Sequence, residues 1–377
     1  METIHEQPPC CILGDYTARK HAGSFVFMYH GVMSADPGRT SAMIWANPGQ
    51  VRMLSGVLSD AGIQVVGAGC PVSAQSGAVA QGFGCEVQDD LRHMLSSERP
   101  DLVLLADPGG FGHREVELDL AALQRAHEQG VTVASLEPIP AEATEISGSR
   151  WGEALHSGSF GEYVRVVPMA RRGRLIDELM ATLETFGVVR SLSISITAPG
   201  VYGSLGARMF EAMDLVRTLV GVPGMIDASY QGEASANGLH QLPGESMRDL
   251  HGVLAGHLRM GDGRGVLLQV SDRVGRSGLM MNLLGDEGEI RVLDEGFVRF
   301  DGGGEQIDSF VMEVDAKADP SSVRLTEQLI QLCSGVGPVR SPVDHVSVLA
   351  MGHAALLSAR TGQGETPETI RRLLMEV

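Results

Sequence analysis

The sequence predicts an N-terminal Rossmann-like parallel sheet of α/β type, followed by a C-terminal α+β part with an open antiparallel sheet covered by helices. From residue 41 to residue 136, short apolar strands alternate with helices, which is typical of a parallel, doubly wound sheet. After about residue 150, one long helix precedes strands joined by Gly- and Asp-rich turns, which is typical of an antiparallel sheet. We therefore predict an extension at 1–40, a Rossmann-like dinucleotide-binding-type domain at 41–145 and an α/β domain at 146–377.

The elements of the first part follow from the spacing of its apolar residues. Apolar residues recur at helical spacing in 51–61 and in 115–129, and Gly130 ends the second of these helices, as a glycine after a helix commonly does. Strands are predicted at 24–29, 41–45, 63–68, 102–106 and 131–136, with further helices at 74–81 and after residue 91.

The second part is predicted in the same way. Residues 191–196 alternate polar and apolar side chains, as a half-buried strand does. Asp344 is expected to cap the helix that follows it, because its carboxylate can accept from a free backbone N–H. Helices are predicted at 171–186, 205–220, 344–359 and 367–375, and further strands at 225–230, 265–270, 278–284, 289–293 and 297–300. One face of such a sheet has to be covered by helices or by a second subunit.

The composition of the chain argues against nucleic acid and against a membrane as partners. The net charge is −18, from 47 acidic and 29 basic residues, and an acidic surface repels the phosphates of nucleic acid. No run of apolar residues is long enough to predict a membrane span, and the first residues contain no apolar signal core. The five cysteines show no CxxC spacing, which favours reduced thiols in the cytoplasm over a disulfide frame or a metal site.

Four segments carry a family resemblance by their order and spacing. They are Pro100–Pro108 with His113 after it, residues 121–138, residues 284–292 and residues 355–362. In this order they resemble the Gfo/Idh/MocA oxidoreductase family, over roughly residues 41–375. The resemblance implies NAD(P), a sugar or cyclitol substrate in a cleft between the domains, and a homodimer or larger assembly formed through the C-terminal sheet.

The dinucleotide motif of that fold, G-x-G-x-x-G, is missing from the matching loop. Its three glycine places hold Trp45, Asn47 and Gln50, and Gly49 falls out of phase. The glycines normally permit the tight turn and let the backbone approach the pyrophosphate. One interpretation is a distorted phosphate loop at a helix N-terminus, and the other is a plain strand-to-helix turn. The candidate cofactor-binding residues are Ala46, Asn47, Gly49, Gln50, Asp107 and Pro108.

The second strand lacks the acid that would bind the ribose hydroxyls of a dinucleotide. Residues 65–71 end without a carboxylate and without an arginine for a 2′-phosphate. We interpret Gly67 and Gly69 as turn glycines.

The usual catalytic residues are replaced as well. Glu137 stands in the place of the family's lysine, and Glu211 and Ala207 stand in the places of its histidine and aspartate. Glu137 could act as a general base, or it could be a strand-end glutamate that faces solvent or pairs with an arginine. Arg208 and Glu211 are predicted to pair on the helix surface. His113 is the remaining polar family feature near the cleft, so Glu137 and His113 are the catalytic candidates.

Three functions stay open. The first is a non-catalytic or cofactor-impaired relative that acts as a scaffold, partner subunit or sensor, because all these motifs are lost together. The second is an NAD(P)-dependent oxidoreductase of a sugar or cyclitol with non-standard residues. The third is a lyase or hydrolase that retains a tightly held cofactor.

Overall fold

We describe the protein from a computed structural model. The structure describes residues 40–97, 100–113, 115–146, 150–156, 160–232, 242–244, 246–313, 315, 317–335 and 342–375. The strand predicted at 24–29 lies outside these residues. Arg39–Val377 form one compact unit, so the predicted boundary between residues 145 and 146 stays a prediction.

The N-terminal sheet is parallel, as predicted, and it has six strands, of which the third and the sixth along the chain were not predicted. Its strands are β1 (Ser41–Trp45), β2 (Gln64–Gly69), β3 (Glu86–Gln88), β4 (Leu102–Leu105), β5 (Thr132–Ser135) and β6 (Arg165–Val166). They lie in the order β3-β2-β1-β4-β5-β6. The strand order reverses at β1, so the crevice outside the carboxyl ends of β1 and its two neighbours is where this fold binds ligands. The helices around the sheet are α1 (Val51–Asp60), α2 (Ser73–Phe83), α3 (Leu91–Leu95), α4 (Val116–Glu128), α5 (Ala143–Ile146), α6 (Arg150–His156) and α7 (Phe160–Tyr163).

The C-terminal sheet is eight-stranded and mostly antiparallel. Its strands are β7 (Val189–Thr197), β8 (Met225–Gln231), β9 (Val253–Arg259), β10 (Gly265–Ser271), β11 (Gly278–Gly285), β12 (Gly288–Leu293), β13 (Gly296–Phe300) and β14 (Gln306–Val311). The order is β14-β13-β12-β11-β7-β10-β9-β8, and the pair of β7 with β10 is parallel. Strands β9 and β14 were not predicted. Gly256 interrupts the apolar pattern of β9, and the side chains of β14 are mostly exposed, so neither strand shows a strong alternation.

Helices cover one face of this sheet and leave the other open. The helices of this layer are α8 (Arg174–Leu183), α9 (Leu205–Val220), α11 (His345–Thr361) and α12 (Pro367–Met375), whereas α10 (Pro320–Ser334) packs against the first sheet. Nearly every side chain of α9 is buried, and α11 is buried in the same core, with Asp344 as its N-cap as predicted. On the opposite face, apolar side chains of β10 and β11 such as Leu267 and Met280 are more than half exposed.

Helix α10 crosses back to the first sheet, although the sequence pattern did not predict this helix. Leu325 and Leu329 pack into the core beneath α1, with Leu54 and Leu58. The Gln328 side chain accepts a hydrogen bond from Met169 N (3.0 Å) and donates one to Met169 O (2.8 Å). The two sheets are therefore held together by a shared core, which fixes the edges that face each other at the crevice.

Candidate functional site

The crevice is lined by the loops that follow β1, β4 and β5 and by the residues around the N-terminus of α9. The loop after β1 is closed upon itself. Asn47 N donates to Gln50 Oε1 (3.1 Å), and Gln50 N donates to Asn47 O (3.1 Å). The buried Gln50 amide also donates to Ala106 O (3.0 Å) and Val201 O (3.3 Å). The place of the third glycine is thus filled by a side chain that links the two halves of the protein.

Trp45 fills the space at the end of β2 that a ribose would need. Its indole is buried, and it lies over Gly69, where any Cβ would collide with the ring and with the carbonyl of Gln88. The interpretation of Gly67 and Gly69 as turn glycines was wrong. Both residues lie inside β2, paired with β1 and β3, and Gly69 is needed because Trp45 packs against it.

A second contact, between Pro71 and Gly109, lies at the same carboxyl end of the sheet. Pro71 follows β2 and Gly109 follows β4, and these strands are the two neighbours of β1. A Cβ on Gly109, whose φ is +55°, would overlap the ring of Pro71, so the two loops meet over the carboxyl end of β1. Asp107 accepts from Gly109 N (3.0 Å) and from Asn47 Nδ2 (3.4 Å), so its carboxylate is engaged within the loops.

These residues do not fit a dinucleotide in its ordinary place. Pro108 is buried, Ala46 is buried in the core, and Gly49 has Asn47 Oδ1 beside it, where a Cβ would lie 3.1 Å from that oxygen. The structure therefore brings the six predicted cofactor residues to one edge of the sheet, but it engages most of their polar groups in contacts of the loops.

Glu137 follows β5 and binds the N-terminus of α9. Its two carboxylate oxygens accept from Ser204 N (2.6 Å) and from Ser204 Oγ (2.6 Å). Burial raises the pKa of Glu137 to about 7, against the two hydrogen bonds from Ser204 and the charge of Arg208. The carboxyl therefore carries a proton in a large fraction of molecules near neutral pH. The partner of Glu137 is a helix-capping serine, whereas the sequence offered solvent or an arginine.

Arg208 and Glu211 pair as predicted, but the expected surface position was wrong. Both side chains are 1% exposed, with Arg208 Nη1 2.7 Å from Glu211 Oε2. Glu211 also accepts from Ala170 N (2.8 Å), and Arg208 donates to Tyr202 O (3.1 Å). The residue in the family's histidine place is thus one half of a buried ion pair.

His113 lies away from this centre, beside α5. Its Nδ1 is 2.9 Å from Glu145 Oε1, and the Arg248 guanidinium is 3.2 Å from the same oxygen. His113, Glu142 and Glu145 could present ligand atoms within 4.8 Å of one another. The carboxylate of Glu145 is already satisfied by Arg248 and by the backbone N–H groups of Ala141 and Glu142. Through these contacts Glu145 connects His113, which follows the N-terminal strand β4, to Arg248, which precedes β9.

The structure adds a histidine–aspartate pair that sequence reasoning missed. His251 precedes β9 and Asp272 follows β10, and His251 Nδ1 lies 2.6 Å from Asp272 Oδ2. The hydrogen bond to Asp272 raises the pKa of His251, and the charge of Glu137 is close enough to raise it further. The side chain of His251 is 49% exposed, whereas that of Asp272 is 2% exposed. A half-exposed imidazole held by a buried carboxylate is the usual arrangement of a general acid–base residue.

Comparison with known proteins rests on structure alone. No protein-family model matches the sequence, and no curated protein matches it. Levoglucosan dehydrogenase, solved in complex with NADH and levoglucosan, superposes with a TM-score of 0.60 at 14% identity, over 87% of this chain and 98% of that one. The chain has the fold of this dehydrogenase.

Two further oxidoreductases agree with that assignment. An oxidoreductase from Agrobacterium radiobacter, in complex with NAD+, L-tartaric acid and magnesium, gives a TM-score of 0.59 at 15% identity, over 88% of this chain and 99% of that one. A UDP-N-acetylglucosamine 3-dehydrogenase from Acidithiobacillus ferrooxidans gives 0.54 at 16% identity, over 88% and 98%. All three proteins are similar to this chain in fold. Within the described residues, no helix has the length and apolar character that crossing a membrane requires.

Proposed function

We propose that this protein is a cofactor-impaired relative of these dehydrogenases, which binds a small polyhydroxylated molecule in the crevice without a dinucleotide in the ordinary place. The observation that carries the proposal is the Trp45 indole over Gly69, because it occupies the end of β2 where the fold holds the adenosine ribose. The contact of Pro71 with Gly109 and the closed loop of Asn47 and Gln50 support it independently.

The charges of the crevice favour a neutral ligand. Asp107, Glu137 and Asp272 place three carboxyl groups around it, and the charge of Arg208 is matched by Glu211. Carboxylates accept hydrogen bonds from hydroxyl groups, whereas they repel a phosphate or a carboxylate. A sugar or cyclitol meets this requirement, and levoglucosan is such a ligand in one structural neighbour.

Calorimetric titration tests both halves of the proposal. The purified protein, first shown to be free of copurified nucleotide, is titrated with NAD+, NADH, NADP+ and NADPH and then with levoglucosan and myo-inositol. We expect no dinucleotide binding up to about 1 mM, and measurable binding of at least one polyol. Micromolar binding of any dinucleotide, about −8 kcal/mol, would contradict the first half. Binding of none of these compounds by a folded protein would contradict the second half.

The second candidate is an NAD(P)-dependent oxidoreductase that acts on a sugar or cyclitol. The solved complexes of the neighbours with NADH or NAD+ favour it. In that case the cofactor would have to displace Trp45 or bind along another path, with Glu137 or His113 in proton transfer. The same dinucleotide titration separates the two candidates.

We also propose that the open face of the C-terminal sheet binds a second copy of this chain. The face carries exposed apolar side chains on β10, β11 and β12, with β7 between β10 and β11, namely Leu267, Met280, Leu284 and Leu293. Exposed large apolar side chains on one face of a sheet mark an interaction surface. Light scattering should therefore report a dimer or a larger assembly, and the double variant Leu267→Glu/Met280→Glu should report a monomer. The control Leu118→Glu, at an equally exposed leucine of α4, should keep the assembly. A monomeric wild-type protein would contradict the proposal.

A further inference from the structure

Asp272 follows β10, an interior strand of the C-terminal sheet, and both of its carboxylate oxygens are hydrogen-bonded. Its Oδ1 accepts from Gly252 N (2.7 Å) and its Oδ2 faces His251 Nδ1 (2.6 Å). Its own backbone N–H donates to Gly252 O (3.3 Å), to which Ser271 Oγ also donates (3.1 Å). Such a carboxylate fixes the orientation of the imidazole bound to it.

The orientation of His251 leaves one nitrogen available for chemistry. Because Asp272 is an acceptor, Nδ1 carries the proton and Nε2 carries the lone pair in the neutral ring. The His251 carbonyl accepts from the Tyr230 hydroxyl (2.7 Å), which also restrains the residue. Within the described part of the chain, Nε2 has no hydrogen-bond partner. The base is therefore free on the side that faces away from Asp272.

We propose that His251, oriented by Asp272, is a catalytic base that removes a proton from the carbon next to the carbonyl group of a keto sugar or keto cyclitol. This inference rests on the proposed function. In the step, His251 Nε2 takes the proton, and the electron pair of the C–H bond forms the C=C bond of an enediol. The carbonyl oxygen takes a proton from the Glu137 carboxyl. The protonated His251 then gives a proton to a carbon of the C=C bond, and a hydroxyl group of the enediol becomes a carbonyl group as its proton passes to the Glu137 carboxylate. The product is an isomer or epimer, so no oxidant is consumed.

The groups around the pair suit this division of roles. Glu137, with its pKa near 7, supplies the proton, and Ser204 holds its carboxyl in place. Asp272, Glu137 and Arg273 are the charges that act on the pKa of His251, and the net effect raises it. The base requires a pH above the pKa of His251 and the acid a pH below about 7. A rate that rises and then falls with pH is therefore expected.

The test follows carbon-bound protons in D2O by proton NMR. D-fructose and 2-keto-myo-inositol are incubated with the wild-type protein, His251→Gln, Asp272→Asn, Glu137→Gln and the control His93→Gln, which changes an exposed histidine of α3. We expect the wild type and the control to exchange the proton next to the carbonyl group for deuterium. In His251→Gln the exchange should be lost.

Asp272→Asn distinguishes a positioning role from a structural one. Its amide oxygen can still accept from Gly252 N, but its Nδ2 would donate to Nδ1 and put the proton of His251 on Nε2. We expect exchange to fall roughly 100- to 10,000-fold, as for a triad histidine in the wrong tautomer. Binding of the keto probe should change by less than about threefold, and the acid limb of the pH profile should move to lower pH.

The outcomes separate this inference from the function on which it rests. A keto probe that binds without exchange, or exchange that survives both His251→Gln and Asp272→Asn, would overturn the role of His251 and leave the binding function in place. If none of the keto probes binds to the folded protein, both the inference and the proposed ligand class fall. If Asp272→Asn does not fold, the exchange measured with His251→Gln, a substitution at a half-exposed position, still shows whether His251 is the base.

Discussion

Replacement of Trp45 by alanine should lower the free energy of unfolding by about 3–5 kcal/mol. The indole is buried at the end of β1, where it packs over Gly69 and belongs to the larger of the two cores. Its removal leaves a cavity that cannot collapse, because the adjoining strands β2 and β4 are fixed by their backbone pairing with β1. Denaturant titration followed by circular dichroism measures the loss.

A matched variant shows that the effect belongs to the filled site. Val72→Ala removes an apolar side chain from the loop after β2, but this side chain is 54% exposed. We expect a change within about 0.5 kcal/mol. If Trp45→Ala were equally mild, the indole would not be an essential part of the core, and a dinucleotide could displace it at little cost.

The frame of the fold could be predicted because its signals are local. Strands β1, β4 and β5 are short buried runs between helices, and their order along the chain implies parallel pairing. Helix α9 has the bounds that the sequence predicted. The strand β1 and the helix α12 also have the predicted bounds, whereas most other elements differ by a few residues at their ends, because those ends depend on caps and pairing rather than on periodicity.

The candidate site could be predicted only where one residue by itself departs from the expected motif. The sequence alone shows that Trp45 stands in a glycine place. Its contact with Gly69 could not be predicted, because that contact depends on the pairing of β1 with β2. His251 and Asp272 were missed because β9 was missed. Antiparallel pairing places Val253 opposite Ser271, so the residues just beyond these two ends must meet. Recognition of β9 would have been the signal that found the pair.

The charged groups beside Glu137 are paired within the fold. The buried Arg208 of α9 lies close enough to Glu137 to lower its pKa, and Arg208 is itself paired with Glu211. Glu211 is the residue predicted to stand in the histidine place of the family that the sequence resembles, and in this structure it stabilises the fold. The proposed proton transfer therefore rests on His251 and Glu137.

Breaking the buried ion pair should be as costly as removing the indole. In Glu211→Ala the Arg208 guanidinium stays buried without its counter-charge, and Ala170 N loses its acceptor. We expect a loss of about 3–5 kcal/mol in the free energy of unfolding, measured by denaturant titration. The exposed pair Glu368 with Arg371 has the same i,i+3 spacing on α12, so Glu368→Ala should leave the free energy of unfolding almost unchanged.

The double variant Arg208→Met/Glu211→Leu removes both charges. Its free energy of unfolding therefore distinguishes the cost of leaving one buried charge unpaired from the stability that the ion pair itself contributes. Apolar side chains of similar volume remove both desolvation penalties, so most of the loss should be recovered. The remaining cost should be about 1–2 kcal/mol, because Ala170 N is still left without a partner. A double variant as unstable as Glu211→Ala would show instead that the pair itself stabilises the helix. The buried arginine would then be retained for stability rather than for its charge beside Glu137.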